Sequence, residues 1–78
     1  MDDRYLILSI AKREIEKKLE KAHKEVEKKS EKLRQMCIDK VSHTKRRAAK
    51  FRLERACEER DRWEKRLELV NEWMEGLK

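Results

Sequence analysis

The stretch Val41-Ser42-His43-Thr44 separates two runs of residues whose apolar members repeat with heptad spacing. The first seam, meaning the stripe that faces a partner helix, comprises Leu8, Lys12, Ile15, Leu19, Ala22, Val26, Lys29, Leu33 and Met36. The second seam comprises Ala49, Leu53, Ala56, Arg60, Trp63, Leu67, Val70, Met74 and Leu77. The first register, continued beyond Met36, meets only polar residues. The two seams are one residue out of phase, which predicts a break at 41–44.

The local residue types also favour a break there. β-Branched and hydroxyl side chains weaken a helix, and either Ser42 or Thr44 can cap the helix that follows. We therefore predict one all-α unit over residues 1–78, with helix 1 at about 3–41, a turn at about 42–44 and helix 2 at about 44–76. The predicted fold is a two-helix antiparallel coiled-coil hairpin that assembles into a helical bundle. No glycine or proline enforces the stop, so a long bent helix and a domain-swapped pair of straight helices are alternatives.

A hairpin that pivots near His43 gives complementary layers. It sets Ile15 against Val70, and it sets Ala22 against Trp63, where a small residue faces a large one as close packing requires. The predicted hairpin core contains Leu8, Ile15, Leu19, Ala22, Val26, Leu33, Met36, Leu53, Trp63, Leu67, Val70, Met74 and Leu77.

The composition agrees with a long-helix protein. Of the 78 residues, 51% are charged, none is proline and one is glycine. The periodic apolar residues argue against disorder. No apolar stretch approaches the roughly 20 residues of a membrane span, and no signal peptide is expected. Two cysteines, Cys37 and Cys57, make no disulfide framework, which predicts a reducing, cytoplasmic location, or a nuclear one in a eukaryote.

The positive charge is concentrated along the chain. The net charge is +6, and residues 40–55 alone hold seven bases against one acid, while the remainder has 16 of each. Cations at the start of the second helix oppose its macrodipole by roughly 0.3–1 kcal/mol each, so function rather than stability is expected to keep them there. We name this partner-binding candidate the basic tip, which consists of Lys45, Arg46, Arg47, Lys50, Phe51, Arg52 and Arg55.

A second candidate surface lies at the opposite end of the predicted hairpin. Five apolar residues fall outside both seams and gather where the two termini meet, and they are Leu6, Ile7, Ile10, Leu69 and Trp73. Two helices cannot cover them, and exposed apolar clusters mark interfaces. They predict self-association, most simply a homodimer in which two hairpins form a four-helix bundle.

No catalytic or metal-binding pattern is present. His23 and His43 are separated by twenty residues, as are Cys37 and Cys57, and the hairpin brings no three of these four together. The sequence has no glycine-rich phosphate loop, and two helices are expected to leave no concave pocket for a substrate. The chain is therefore predicted to be no enzyme and to need no cofactor or metal.

Three functional hypotheses remain. The first is a protein-interaction module of adaptor or inhibitor type, whose basic tip binds an acidic surface of a partner protein. The second is a nucleic-acid-binding hairpin that uses the same tip. The third is a structural coiled-coil fragment of a larger assembly. The acidic protein partner is favoured, because acids balance bases everywhere outside the tip, whereas nucleic-acid binders usually carry a longer positive stripe.

Overall fold

The computed structural model describes residues 3–77, which form two helices packed side by side. Helix α1 spans Asp3–Ile38 and helix α2 spans His43–Gly76, and the four residues between them reverse the chain. The molecule is a rod of 59 × 14 × 12 Å, and its described part contains no strand. The predicted all-α antiparallel hairpin is confirmed, and the long bent helix is excluded.

The interior of the rod follows the heptad seams. Every residue of both seams is at least half-buried, but only Ala22, Ala49 and Val70 are buried fully, with exposures of 8%, 7% and 5%. The core is therefore one thin layer between two helices, as expected of so short a chain. Over the described residues, neither helix has a segment long and apolar enough to cross a membrane.

Helix α1 stops earlier than predicted, at Ile38 rather than near residue 41. The Val41 N–H donates to the Met36 carbonyl at 3.1 Å, and the Lys40 N–H donates to the Cys37 carbonyl at 3.4 Å. Lys40 has φ 53°, in the left-handed region. These three features form a Schellman motif, which satisfies the last carbonyls of a helix and usually has glycine where Lys40 lies.

Helix α2 begins with a side-chain cap. The Ser42 hydroxyl accepts a long hydrogen bond, 3.5 Å, from the Lys45 N–H, so Ser42 rather than Thr44 is the N-cap and the helix starts at His43. The first turn of α2 contains no acid, but it contains Lys45 and Arg46. The turn thus positions the basic tip at one end of the rod and leaves its charges uncompensated against the helix dipole.

The conformation of Lys40 gives a testable prediction for stability. A left-handed conformation costs a residue with a Cβ about 1–2 kcal/mol. Glycine avoids this cost, but it loses more conformational entropy on folding, which offsets part of the gain in stability. Lys40→Gly should therefore raise the free energy of unfolding in urea by roughly 0.5 kcal/mol. Lys40→Ala removes the same charge but keeps the Cβ, so it should give no gain. Equal gains in both variants would mean that the charge, not the backbone, matters.

Candidate binding surfaces

The basic tip occupies the first turns of α2. All of its members are exposed except Arg46, which is half-buried in the continuation of the seam. Within residues 3–77 no tip cation makes an ion pair. The tip therefore presents its positive charge without internal neutralisation, which favours an anionic partner.

Arg46 differs from the other cations of the tip. Its Nε is buried and has no hydrogen-bond partner among the described residues, which is a costly position for a donor. A change at Arg46 would alter the packing of the two helices as well as the charge. Arg47 and Lys50, which are fully on the surface, report on the tip charge more cleanly.

Phe51 supplies an apolar group among these charges. Its side chain is 58% exposed, and the guanidinium carbon of Arg55 lies 5.5 Å from the centre of its ring. Phe51 is therefore not part of the packing between the helices. An exposed aromatic ring beside arginines has the composition of an interface anchor.

Two long faces flank the seam, and the structure shows which residues share each. A groove at mid-length takes side chains from both helices, namely Lys18, Lys21 and Glu25 of α1 with Arg52, Arg55 and Glu59 of α2. The seam residues are heptad positions a and d, with Leu19 and Leu53 at a and Ala22 and Trp63 at d. The side chains of this groove occupy positions c and g. On the opposite side the His23 Nε2 and the Glu64 Oε1 approach to 3.7 Å across the helices, at heptad position e. Positions c and g therefore form one face of the rod, and positions b and e form the other.

The two faces carry opposite charge. We name the first one the basic face, and its ten bases are Arg4, Lys18, Lys21, Lys28, Lys32, Lys45, Arg52, Arg55, Arg62 and Arg66, against the three acids Glu14, Glu25 and Glu59. The other is the acidic face, with eight acids, Glu16, Glu20, Glu27, Glu54, Asp61, Glu64, Glu68 and Glu75, against the four bases Arg13, Arg34, Arg47 and Lys50. All of these side chains are exposed.

Ion pairs with neighbouring cations neutralise the acids of the basic face and so strengthen its positive charge. Its three acids are each held by a neighbouring cation: Glu14 by Lys17 at 3.7 Å, Glu25 by Lys29 at 3.2 Å, and Glu59 by Arg62 at 3.4 Å. Eight of its cations make no ion pair within the described residues, and these are Lys18, Lys21, Lys28, Lys32, Lys45, Arg52, Arg55 and Arg66. The face therefore has a continuous positive potential.

The predicted tip divides between these faces. Lys45, Arg52 and Arg55 belong to the basic face, whereas Arg47 and Lys50 lie on the other side of α2. Phe51 is at heptad position f, the outermost position, between the two groups. The tip is therefore two adjoining surfaces and not one patch.

The groove at mid-length is a concave surface that the sequence did not predict. It has a volume of about 480 Å³, and the small side chains of Ala22 and Ala56 leave this space open. Trp63 lines it as well, its Nε1–H donating to the Glu59 Oε1 at 2.9 Å and its ring lying 4.5 Å from the guanidinium carbon of Arg66. The expectation that two helices leave no concavity is wrong here. The groove holds neither histidine nor cysteine, and most of its polar side chains are cations.

Metal ligands do not converge in the part of the chain that the structure describes. Residues 3–77 contain no group of three His, Cys, Asp or Glu side chains able to hold a metal ion. Cys37 is exposed, Cys57 is half-buried, and both are free thiols. The surfaces described above are therefore the sites that a functional argument has to use.

The structure separates the five apolar residues predicted for self-association. Ile7 and Trp73 line one groove at the open end of the rod, together with Leu8 and Leu77 from the ends of the seams. Leu6 and Ile10 line a different depression on the outer surface of α1. All five side chains are exposed, Leu69 least at 46%. The groove with Ile7 and Trp73 unites both helices, so it is the stronger candidate contact.

No family model, no curated protein and no solved structure matches this chain.

Proposed function

We propose that the protein is a non-enzymatic interaction module, of adaptor or inhibitor type, that binds an acidic surface of a partner protein through its basic tip. The observation that carries the proposal is the group of unpaired cations around the exposed ring of Phe51. Charge complementarity speeds and orients association, and an aromatic ring supplies affinity once water is excluded.

The shape of the tip supports a protein partner. The end of the rod is only two helices wide, so it is a small convex surface that fits a depression in another protein. The two free thiols are compatible with a reducing compartment, and we propose that the protein works in the cytoplasm or, in a eukaryote, in the nucleus.

The test is affinity capture from extract of the source cells, with and without nuclease. A protein partner should be recovered equally in both cases, and its binding should fall only moderately as salt is raised. Loss of the captured material after nuclease treatment, with a steep salt dependence, would instead support nucleic-acid binding at the tip. Recovery that Arg47→Glu/Lys50→Glu does not change would mean that the basic tip is only a solvated surface, and the apolar open end would become the candidate binding surface.

We also propose that two copies associate through the open end. The groove that Ile7 and Trp73 line is apolar, uncovered and formed by both helices. A two-fold contact there would bury the same patch on each copy and create a short four-helix bundle. The basic tips would then point away from the shared end.

Trp73→Ala should weaken this assembly strongly. Loss of an interface tryptophan costs about 2 kcal/mol or more, which raises the dissociation constant roughly thirtyfold. Phe51→Ala is the matched control, because both aromatic side chains are 58% exposed but lie near opposite ends of the rod. Sedimentation equilibrium over a concentration series measures both. A wild-type protein that stays monomeric at tens of micromolar, the usual range of weak dimers, or equal effects of the two variants, would contradict the proposal.

A further inference from the structure

The basic face shares Lys45, Arg52 and Arg55 with the tip, but it extends far beyond them along both helices, over a surface that the proposed function does not use. Its eight unpaired cations run along both helices, from Lys18 to Lys32 on α1 and from Lys45 to Arg66 on α2. At 1.5 Å per residue the longer row extends about 32 Å. We propose that this face binds double-stranded nucleic acid along its phosphate backbone, independently of base sequence.

Charge complementarity is the first reason. The cations form two parallel rows, with lysines from Lys18 to Lys32 on α1 and mainly arginines on α2, and the three acids between them are already paired. A nucleic-acid duplex carries about one negative charge per 1.7 Å of its axis. A rod of this length can lie along a duplex and contact several of its phosphates.

The absence of an apolar anchor on this stretch argues against a protein partner. Stable protein interfaces need apolar or aromatic groups at their centre. None of the large exposed apolar side chains of the described residues lies on the basic face between Lys18 and Lys32 or between Lys45 and Arg66. Phe51 is outermost on its helix, and Leu69 and Trp73 lie nearer the open end. The apolar surface of this stretch lies inside the groove, at Ala22, Ala56 and Trp63, whereas its outer surface is dominated by cations.

The basic face also lacks the open aromatic rings on which a single-stranded nucleic acid would stack its bases. Proteins that bind single strands stack the bases on open aromatic rings. The only aromatic residue in the mid-length groove is Trp63, and Arg66 covers its ring at 4.5 Å while Glu59 takes its N–H. The duplex remains the occupant that the face fits.

The test uses fluorescence anisotropy with a labelled duplex of about 20 base pairs, which at 3.4 Å per base pair is longer than the 59 Å rod. Six to eight phosphate contacts predict that the logarithm of the affinity falls with the logarithm of the salt concentration with a slope of about −5 to −7. Lys18→Glu/Lys21→Glu should reduce the size of that slope by about 2 and lower the affinity roughly tenfold or more.

Two double variants with the same change in net charge are the controls. Lys24→Glu/Lys65→Glu lies on the outer surfaces of the two helices, and the Lys24 side chain pairs with Glu20 of the acidic face. Arg47→Glu/Lys50→Glu changes the tip away from the basic face. Each should lower duplex affinity less than about threefold at physiological salt, because these side chains point away from the phosphates that the basic face contacts.

The outcomes separate this inference from the proposed function. Duplex binding equal in Lys18→Glu/Lys21→Glu and in the outer-surface variant would overturn the inference. So would tighter binding to a single strand or to a polyglutamate peptide than to the duplex. If Arg47→Glu/Lys50→Glu lowered duplex affinity more than Lys18→Glu/Lys21→Glu does, the nucleic acid would bind at the tip, which would also overturn the inference. Failure of duplex binding leaves capture of a protein by the tip unaffected, because the two tests use different residues and different probes.

Discussion

Trp63→Ala is expected to unfold most of the hairpin at room temperature. Trp63 is a half-buried member of the α2 seam and shares the wall of the central groove with Ala22, which is 8% exposed. Its removal enlarges a gap in a core of a single layer. Removal of a fully buried tryptophan lowers the free energy of unfolding by about 3–5 kcal/mol. Because Trp63 is partly exposed, we expect a decrease of roughly 2–4 kcal/mol. A two-helix chain of this size has little more stability than that.

Phe51→Ala is the control for this prediction. Phe51 and Trp63 each have an arginine beside the ring, at 5.5 Å and 4.5 Å, but only Trp63 lies in the seam. Phe51→Ala should therefore change the free energy of unfolding by less than about 0.5 kcal/mol, as surface substitutions usually do. Urea denaturation followed by circular dichroism, at one protein concentration, measures both variants. Similar losses would mean that the arginine contact, and not seam packing, is the source of stability.

Reversal of charge at the tip is expected to abolish partner binding without loss of the fold. Arg47 and Lys50 are exposed, make no ion pair in the described structure and are followed immediately by Phe51. In Arg47→Glu/Lys50→Glu, attraction to an acidic surface becomes repulsion. Because juxtaposed like charges cost several kcal/mol, affinity for the captured partner should fall roughly a hundredfold or more.

Helicity should survive this change, because both side chains are exposed and make no ion pair in the described structure. The matched variant is Lys17→Glu/Lys24→Glu, which should reduce partner affinity less than about threefold. It should lower helix stability slightly, since two ion pairs of 3.7 Å and 3.4 Å are lost. Affinity that is equal in the two variants would show that the tip does not contact the partner.

The fold followed from the sequence because heptad spacing reports on burial directly. The phase shift between the seams located the turn within a few residues. The end of α1 was missed by three residues, because Lys40 adopts a left-handed conformation that its residue type does not predict. The capping Ser42 was one of two candidates, and only backbone geometry distinguishes it from Thr44.

The charge pattern was predicted only in part, for a geometric reason. Counting bases and acids along the chain revealed the tip but suggested that all other charges cancel. When these other charges are grouped by their position around each helix, one face has an excess of bases and the other an excess of acids. The two excesses cancel only in the total. The heptad register alone would have predicted the two faces, since it places Lys18 and Lys21 on one side of α1 and Lys17 and Lys24 on its outer surface. The open groove was harder to foresee, because its width depends on how closely Ala22 and Ala56 let the helices approach.

Site-specific photo-crosslinking shows directly which end of the rod the partner touches. Benzoylphenylalanine is placed at Phe51 in the tip and, in a second protein, at Tyr5 near the open end, two exposed aromatic positions at 58% and 41%. In nuclease-treated extract of the source cells, the probe at Phe51 should form an adduct with a partner protein. The probe at Tyr5 should yield only a crosslinked second copy of this chain. A partner adduct from Tyr5 alone, or from both positions equally, would contradict the assignment of the basic tip as the binding surface.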